Sequence, residues 1–248
     1  GAGDDFLDSG FGNDALFGEG GNDTLRWLPG TLIDTFDGGT GNDTAIVVGN
    51  TTNIPDLTTP DPTDTGNGDR FLLSANGSGG ALFQRLNLVP FKIDITTTEN
   101  VVMQTGGGND TITVTALAGT AVRNVTMDGG DGDDILDGSA ADVPLLLTGG
   151  AGNDTLIGGS RNDTLLGGDG NDTLTGGKGT DTLDGGAGDD VLDEGTKDGR
   201  QDVLIGGTGK DTFIRRQVNG ANNLTPLFDD LVIDFSTTDG DVTKIMFV

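Results

Sequence analysis

The chain has 248 residues, and its 40 acidic against 13 basic side chains give a formal charge of −27; this excludes nucleic acid and anionic membrane as default partners, which need a basic footprint, and favours cations. Apolar residues make up 33%, against roughly 45–50% in ordinary globular domains, so a thick three-dimensional core is excluded. Cysteine, histidine and tyrosine are absent, which removes disulfides, thiolate or imidazole metal sites, and Ser-His-Asp or cysteine nucleophiles.

Taken in chain order, residues 1–46 form an N-terminal repeat block: GAGDDFL at 1, SGFGNDAL at 9, GEGGNDTL at 18 and GGTGNDTA at 38. Within it TLIDTFD places Asp34 in an Asp-Thr-Phe ending without a glycine loop, and Trp27 is expected in the core or at a coil end. Residues 47–70 are rich in Thr, Asp and Pro and are expected to be a long loop. Residues 71–104 alternate like strands (RFLLSA, ALFQRL, FKIDITTTENVVM), with NGSGG as a turn. The whole segment 47–104 is therefore expected to be a loop and wider β-helical coils that continue one stack.

Residues 105–214 form the main block, beginning with TGGGNDTI at 105 and GGDGDDIL at 129. GGAGNDTL at 149, GGSRNDTL at 158, GGDGNDTL at 167, GGKGTDTL at 176, GGAGDDVL at 185 and GGTGKDTF at 206 follow. Residues 215–248 lose the Gly–Asp pattern and read as a capping segment, needed because an open end exposes apolar residues and an unpaired strand edge. No run is long enough to span a membrane, and nothing resembles a signal peptide. A chain that starts inside a repeat is expected to be a processed product or an excised piece.

The pattern GGxGxDx followed by a large apolar residue has a physical reading. The glycines at positions 1, 2 and 4 allow positive φ and close backbone approach, so six residues turn tightly. Positions 7 to 9 form a short strand with position 8 pointing inward. Leu156, Leu165, Leu174, Leu183, Leu192, Leu204 and Phe213 then form an apolar ladder, with Thr at position 7 outside. Two repeats make one turn of about 18 residues, and parallel strands stack roughly 4.8 Å apart. One column of carboxylates is expected at Asp134, Asp154, Asp172, Asp190 and Asp211, and another at Asp163, Asp181 and Asp202. Carboxylates that close repel unless a cation lies between them. Ca²⁺ fits best, because it accepts six to eight oxygens in flexible geometry, backbone carbonyls included.

These repeats resemble the hemolysin-type calcium-binding repeats of the RTX (repeats-in-toxin) family. The resemblance implies an all-β fold, a right-handed parallel β-roll or β-helix solenoid, with Ca²⁺ held by position-6 carboxylates and loop carbonyls. It implies secretion by a type I exporter and folding in calcium outside the cell. Carried over residue by residue, it adds Asp5, Asp14, Asp23, Asp43 and Asp110 to the ligands, with the carbonyls of Gly150, Gly152, Gly168, Gly170, Gly186 and Gly188 completing the shells. The tail DDLVIDFSTTDGDVTKIMFV resembles the segment that caps such rolls.

Departures from the pattern are expected to matter locally. Arg161 replaces the position-4 glycine before Asp163, GSAADVPLLLT at 138–148 has no position-6 Asp, and three extra residues precede Asp202. DGGDGDDILDG at 128 lacks the Glu and helices of an EF-hand, and the Gly-rich segments precede strands, which removes nucleotide binding. Stacked calcium ligands account for the carboxylates without catalysis, so no enzyme is expected; the reading set against it is a calcium-assisted polysaccharide lyase with Arg70 or Arg85 as base. The expected role is an extracellular calcium-stabilised structural protein that stacks head to tail into a filament or matrix. The alternative is the secretion and folding module of a larger type I-secreted enzyme, toxin or adhesin.

Overall fold

A computed structural model describes residues 1–10, 12–27, 33–49, 68–86, 92–196, 198–217, 231–233 and 240–247. Among them every regular element is a β-strand. One sheet has ten strands, all parallel, in the order Phe6–Asp8, Thr24–Trp27, Thr44–Val48, Asn100–Gly107, Asn124–Asp131, Leu145–Ala151, Thr164–Asp169, Thr182–Ala187, Val203–Thr208 and Leu231–Ile233. The other has twelve: Ala15–Phe17, Ile33–Asp37, Lys92–Thr96, Ala81–Arg85, Arg70–Ala75, Thr111–Val114, Ile135–Asp137, Thr155–Ile157, Thr173–Gly177, Val191–Gly195, Thr212–Gln217 and Val242–Phe247. Outside residues 70–96 the chain alternates between the sheets, so it winds as a parallel β-solenoid. Equivalent residues lie 18 apart where the repeats are regular, and 20 or 24 apart around Asp110 to Asp154.

The nonapeptide period dictates the core. Leu156, Leu174, Leu192 and Phe213 stack in register on one sheet, and Leu165, Leu183 and Leu204 on the other. All seven are fully buried. Two residues beyond Leu156, Leu165, Leu174, Leu183 and Leu204 stands a glycine of the following turn, whereas Glu194 and Arg215 follow Leu192 and Phe213, so this part of the core is a single apolar side chain wide.

Earlier coils are wider. The ladder of Leu165 and Leu183 continues back through Leu147, Met127, Met103, Val47 and Trp27. Beside it runs a second inward track of Leu25, Ala45, Val101, Val125 and Leu145. The two sheets enclose one continuous apolar cluster from Leu16 to Phe213.

The wider coil of residues 47–104 is a single one, running from Thr44–Val48 to the strand Asn100–Gly107 beside it. Of its expected loop, residues 50–67 lie outside the described residues. Its strands fold as an antiparallel meander: Arg70–Ala75 pairs with Ala81–Arg85, which pairs with Lys92–Thr96. The cause is the turn Asn76–Gly80, since five residues close a hairpin but cannot make the crossover that parallel neighbours need. Phe71 and Phe83 pack within it, ring centroids 5.0 Å apart.

The described parts of the tail extend the stack. Leu231–Ile233 pairs with Val203–Thr208, and Val242–Phe247 with Thr212–Gln217.

Truncating an inward rung should be far more damaging than changing its outward neighbour. Leu183→Ala should cost about 2–5 kcal/mol, and Thr182→Ala about 0.5 kcal/mol, by urea unfolding in saturating Ca²⁺. Equal losses would contradict the ladder.

Candidate functional site

Position-6 carboxylates sit where each turn enters a strand, and the turns bury them. Asp23, Asp43, Asp110, Asp134, Asp154, Asp163, Asp172, Asp181, Asp190, Asp202 and Asp211 are all buried. Each backbone N–H in a row donates to the Oδ1 of the equivalent residue one coil later. Asp134 donates to Asp154 at 2.7 Å, Asp154 to Asp172 at 2.8 Å, Asp172 to Asp190 at 2.8 Å and Asp190 to Asp211 at 3.0 Å. Asp163 donates to Asp181 at 2.9 Å and Asp181 to Asp202 at 2.8 Å.

Only one carboxylate oxygen is used in this way. Oδ2 of Asp14, Asp23, Asp43, Asp134, Asp154, Asp172, Asp181 and Asp190 is buried without a hydrogen-bond donor. Except for Asp14, whose turn begins with Ser9, each sits against the first glycine of its own turn. A Cβ on Gly167 would overlap both Asp172 Oδ2 and the carbonyl oxygen of Gly185, one coil later. Glycine there leaves a small oxygen-lined space. The glycine carbonyls expected to complete the shells are also stacked: those of Gly150 and Gly152 lie against Gly168 and Gly170, and those of Gly168 and Gly170 against Gly186 and Gly188. Gly168 has φ +119°, a conformation that excludes other residues.

The structure adds members that lack the full motif. Asp14 donates to Asp34 Oδ1 at 2.8 Å, Asp43 to Glu99 Oε2 at 2.9 Å and Asp211 to Asp241 Oδ1 at 2.9 Å. Asp69 donates to Asp110. Asp34 is marked by its Asp-Thr-Phe ending without a glycine loop; Glu99 and Asp69 were hidden because TTTENV and GNGDRF lack that loop, although TDGDVT around Asp241 carries a remnant of it. Asp5 N–H donates to Asp23 Oδ1, and its own carboxylate meets the N-terminal ammonium of Gly1 at 2.9 Å.

The carboxylates do not form two continuous columns. On the ten-stranded sheet Asp163 lies in register with Leu145, Val125 and Val101, whereas Asp43 aligns with Glu99, two residues earlier. On the other sheet Asp34 aligns through the meander with Leu73 and Val114, four residues beyond Asp110. Asp163 also differs in its partners. Its Oδ1 accepts from Leu145 N–H at 2.8 Å and its Oδ2 from Gly159 N–H at 2.7 Å, so neither oxygen is left over. Arg161, in place of the usual glycine, turns away and donates to the Asp142 carbonyl at 3.0 Å.

A second ladder runs beside each row. The Asx residues at position 5 accept from the next coil: Asn171 N–H donates to Asn153 Oδ1 at 2.9 Å and Asp189 N–H to Asn171 Oδ1 at 2.7 Å. Its direction is opposite to that of the position-6 row. The recurring Asn-Asp dipeptide was the available signal, and only its second residue was read.

Burial sets the titration of the rows. It pushes Asp134 and Asp181 up to about 7, and Asp154, Asp163 and Asp190 up to about 6, partly offset by the backbone N–H each accepts. Asp34, Asp43 and Asp172 are raised for the same reason.

Unpartnered carboxylate oxygens beside backbone carbonyls make an all-oxygen donor set, which suits a hard cation with flexible coordination. Among the described residues no three acidic side chains converge on one point, so backbone oxygens must supply most of any shell. The comparison with known families agrees: residues 1–25, 30–46, 123–142, 146–160 and 157–192 match the RTX calcium-binding nonapeptide repeat. The matched segments are RTX-type repeats, and such repeats bind multiple Ca²⁺ ions. No curated protein matches it. Among the described residues no helix is long and apolar enough to cross a membrane.

In calcium-stripped protein the raised carboxyls make stability fall with rising pH. Below about pH 3.8 folded and unfolded chains are both protonated; between there and about pH 7 the folded chain holds the extra protons. Melting temperature without calcium should therefore rise from pH 7 to pH 4.5, while the calcium midpoint weakens because protons compete. A lower melting temperature at pH 4.5 would contradict the burial of these groups.

Proposed function

We propose that the protein is an extracellular, calcium-stabilised structural solenoid, rigid when loaded and without a catalytic role. The carrying observation is the set of buried carboxylate oxygens that have no donor, Asp134, Asp154, Asp172, Asp181 and Asp190 among them. Buried charge without a partner is strongly unfavourable, and a bound cation removes that cost. The ligands are Asp14, Asp23, Asp43, Asp110, Asp134, Asp154, Asp172, Asp181, Asp190, Asp202 and Asp211, with glycine carbonyls of adjacent turns. Asp163 is excluded, because backbone N–H groups satisfy both of its oxygens.

A site assembled from separate coils does not exist in the unfolded chain, so calcium binding and folding are linked. The coils held by these rows stay unfolded where calcium is scarce and fold where it is plentiful, which fits completion of folding after export. In this reading copies stack end to end, each solenoid continuing the two sheets of the next. A head-to-tail contact of that kind does not close and yields filaments. The same rows would equally serve a folding module of a larger type I-secreted enzyme, toxin or adhesin.

Millimolar Ca²⁺ should restore β-sheet circular dichroism to stripped protein and raise its melting temperature; no change in either would sink the calcium reading. Asp172→Asn should reduce the number of bound ions in a calorimetric titration, whereas Asp163→Asn should leave it unchanged. Light scattering across concentrations in Ca²⁺ separates the two roles. Growth into long particles supports assembly, and a compact monomer throughout supports the module.

A further inference from the structure

The roll is not uniformly dependent on metal. We propose that residues 68–147 form a kernel that keeps its fold without calcium, and that Arg85 is its built-in cation, standing where the coils on either side use a metal ion. This rests on the calcium reading of the remaining rows.

The first support is the core. Among the described residues, nineteen buried apolar side chains fall in 68–147 against seven in 148–213, so the kernel carries a two-track core where the later coils have one. Val101 with Met103, Val125 with Met127, and Leu145 with Leu147 fill adjacent inward positions on successive strands. From Asp163 onward the same track as Val101, Val125 and Leu145 is occupied by Asp163, Asp181 and Asp202. Hydrocarbon there contributes burial outright, whereas a carboxylate in that position contributes only when its charge is matched.

The second support is Arg85. It projects from the middle strand of the meander and its guanidinium pairs with the Asp69 carboxylate, both side chains being largely buried. Asp69 heads the row that continues through Asp110 and Asp134. On the side away from Asp110 the antiparallel strand Ala81–Arg85 takes the place of the next coil, so the turn carbonyls that flank an inner row member from both sides are here present on one side only, where the Asn109 carbonyl lies against Gly68. A guanidinium delivers fixed positive charge and directional donors to that carboxylate.

Hydrogen–deuterium exchange on the full chain, with saturating Ca²⁺ and after stripping, tests this. Exchange in residues 155–213 should accelerate by about a hundredfold or more on stripping, as expected when ligand at 100 times its Kd is withdrawn. Exchange in the strands at 92–96, 100–107 and 124–131 should change by less than about tenfold. If both regions lose protection together, the kernel is wrong and the calcium reading stands. If neither responds, the calcium reading itself falls. Arg85→Gln should remove the calcium-free protection of residues 68–86 and leave residues 155–213 protected in Ca²⁺; unchanged protection at 68–86 would overturn the role given to Arg85.

Discussion

Everything in the main block turns on a carboxylate that is buried with one oxygen satisfied and the other not. Oδ1 of Asp172 takes the N–H of Asp154 and so fixes the spacing of two coils. Oδ2 faces a glycine and a carbonyl, with no donor. Negative charge in such a place is far costlier than at the surface, so the fold is conditional on a proton or a cation. The Asx ladder at position 5 does not share this conditionality, because its members are exposed to solvent. Running in the opposite direction, it ties each coil to the one before while the buried row ties it to the one after.

Hydrocarbon and charge are interchangeable on one inward track of this solenoid. Leu25, Ala45, Val101, Val125 and Leu145 hold that track in the first coils, and Asp163, Asp181 and Asp202 hold it afterwards. The changeover is marked by Asp163 itself, whose carboxylate is closed on both sides by Leu145 and Gly159 N–H groups. A coil with a single leucine per strand buries too little apolar surface to offset the ordering of its backbone. Coils with two inward side chains are less exposed to that deficit. The low apolar content of the chain is thus unevenly distributed.

Periodicity made the regular part legible. A nine-residue repeat with one leucine and one aspartate fixes strand, turn and inward face together, and from residue 149 the ladder follows from the spacing alone. What escaped was whatever depends on register across non-identical coils. Glu99, Asp69 and Asp241 occupy row positions because of their pairing with Asp43, Asp110 and Asp211, and no local motif marks the first two. The two-residue offset at Leu145 was hidden for the same reason, since VPLLLT carries neither the loop glycines nor the aspartate. The direction of the strands at 70–96 was legible in principle: NGSGG was read as a turn, and a turn that short permits only an antiparallel neighbour.

The position of the meander follows from the rows. Three inserted strands, rather than one or two, are needed to depart from a parallel stack by antiparallel steps and return to it in the same direction. They give one sheet two more strands than the other, about 10 Å of extra width on one side at a strand spacing of about 4.8 Å. No carboxylate row can pass through them, because the antiparallel strand Ala81–Arg85 enters from the opposite edge and brings no turn to the row. The row must therefore end on both sides of the insertion, and each end needs a partner that is not a metal. On one side the Trp27 indole donates to Asp34; on the other Arg85 meets Asp69. An interruption of the stack is compatible with folding at this place because the two carboxylates at the row ends, Asp34 and Asp69, are answered by side chains already in the chain.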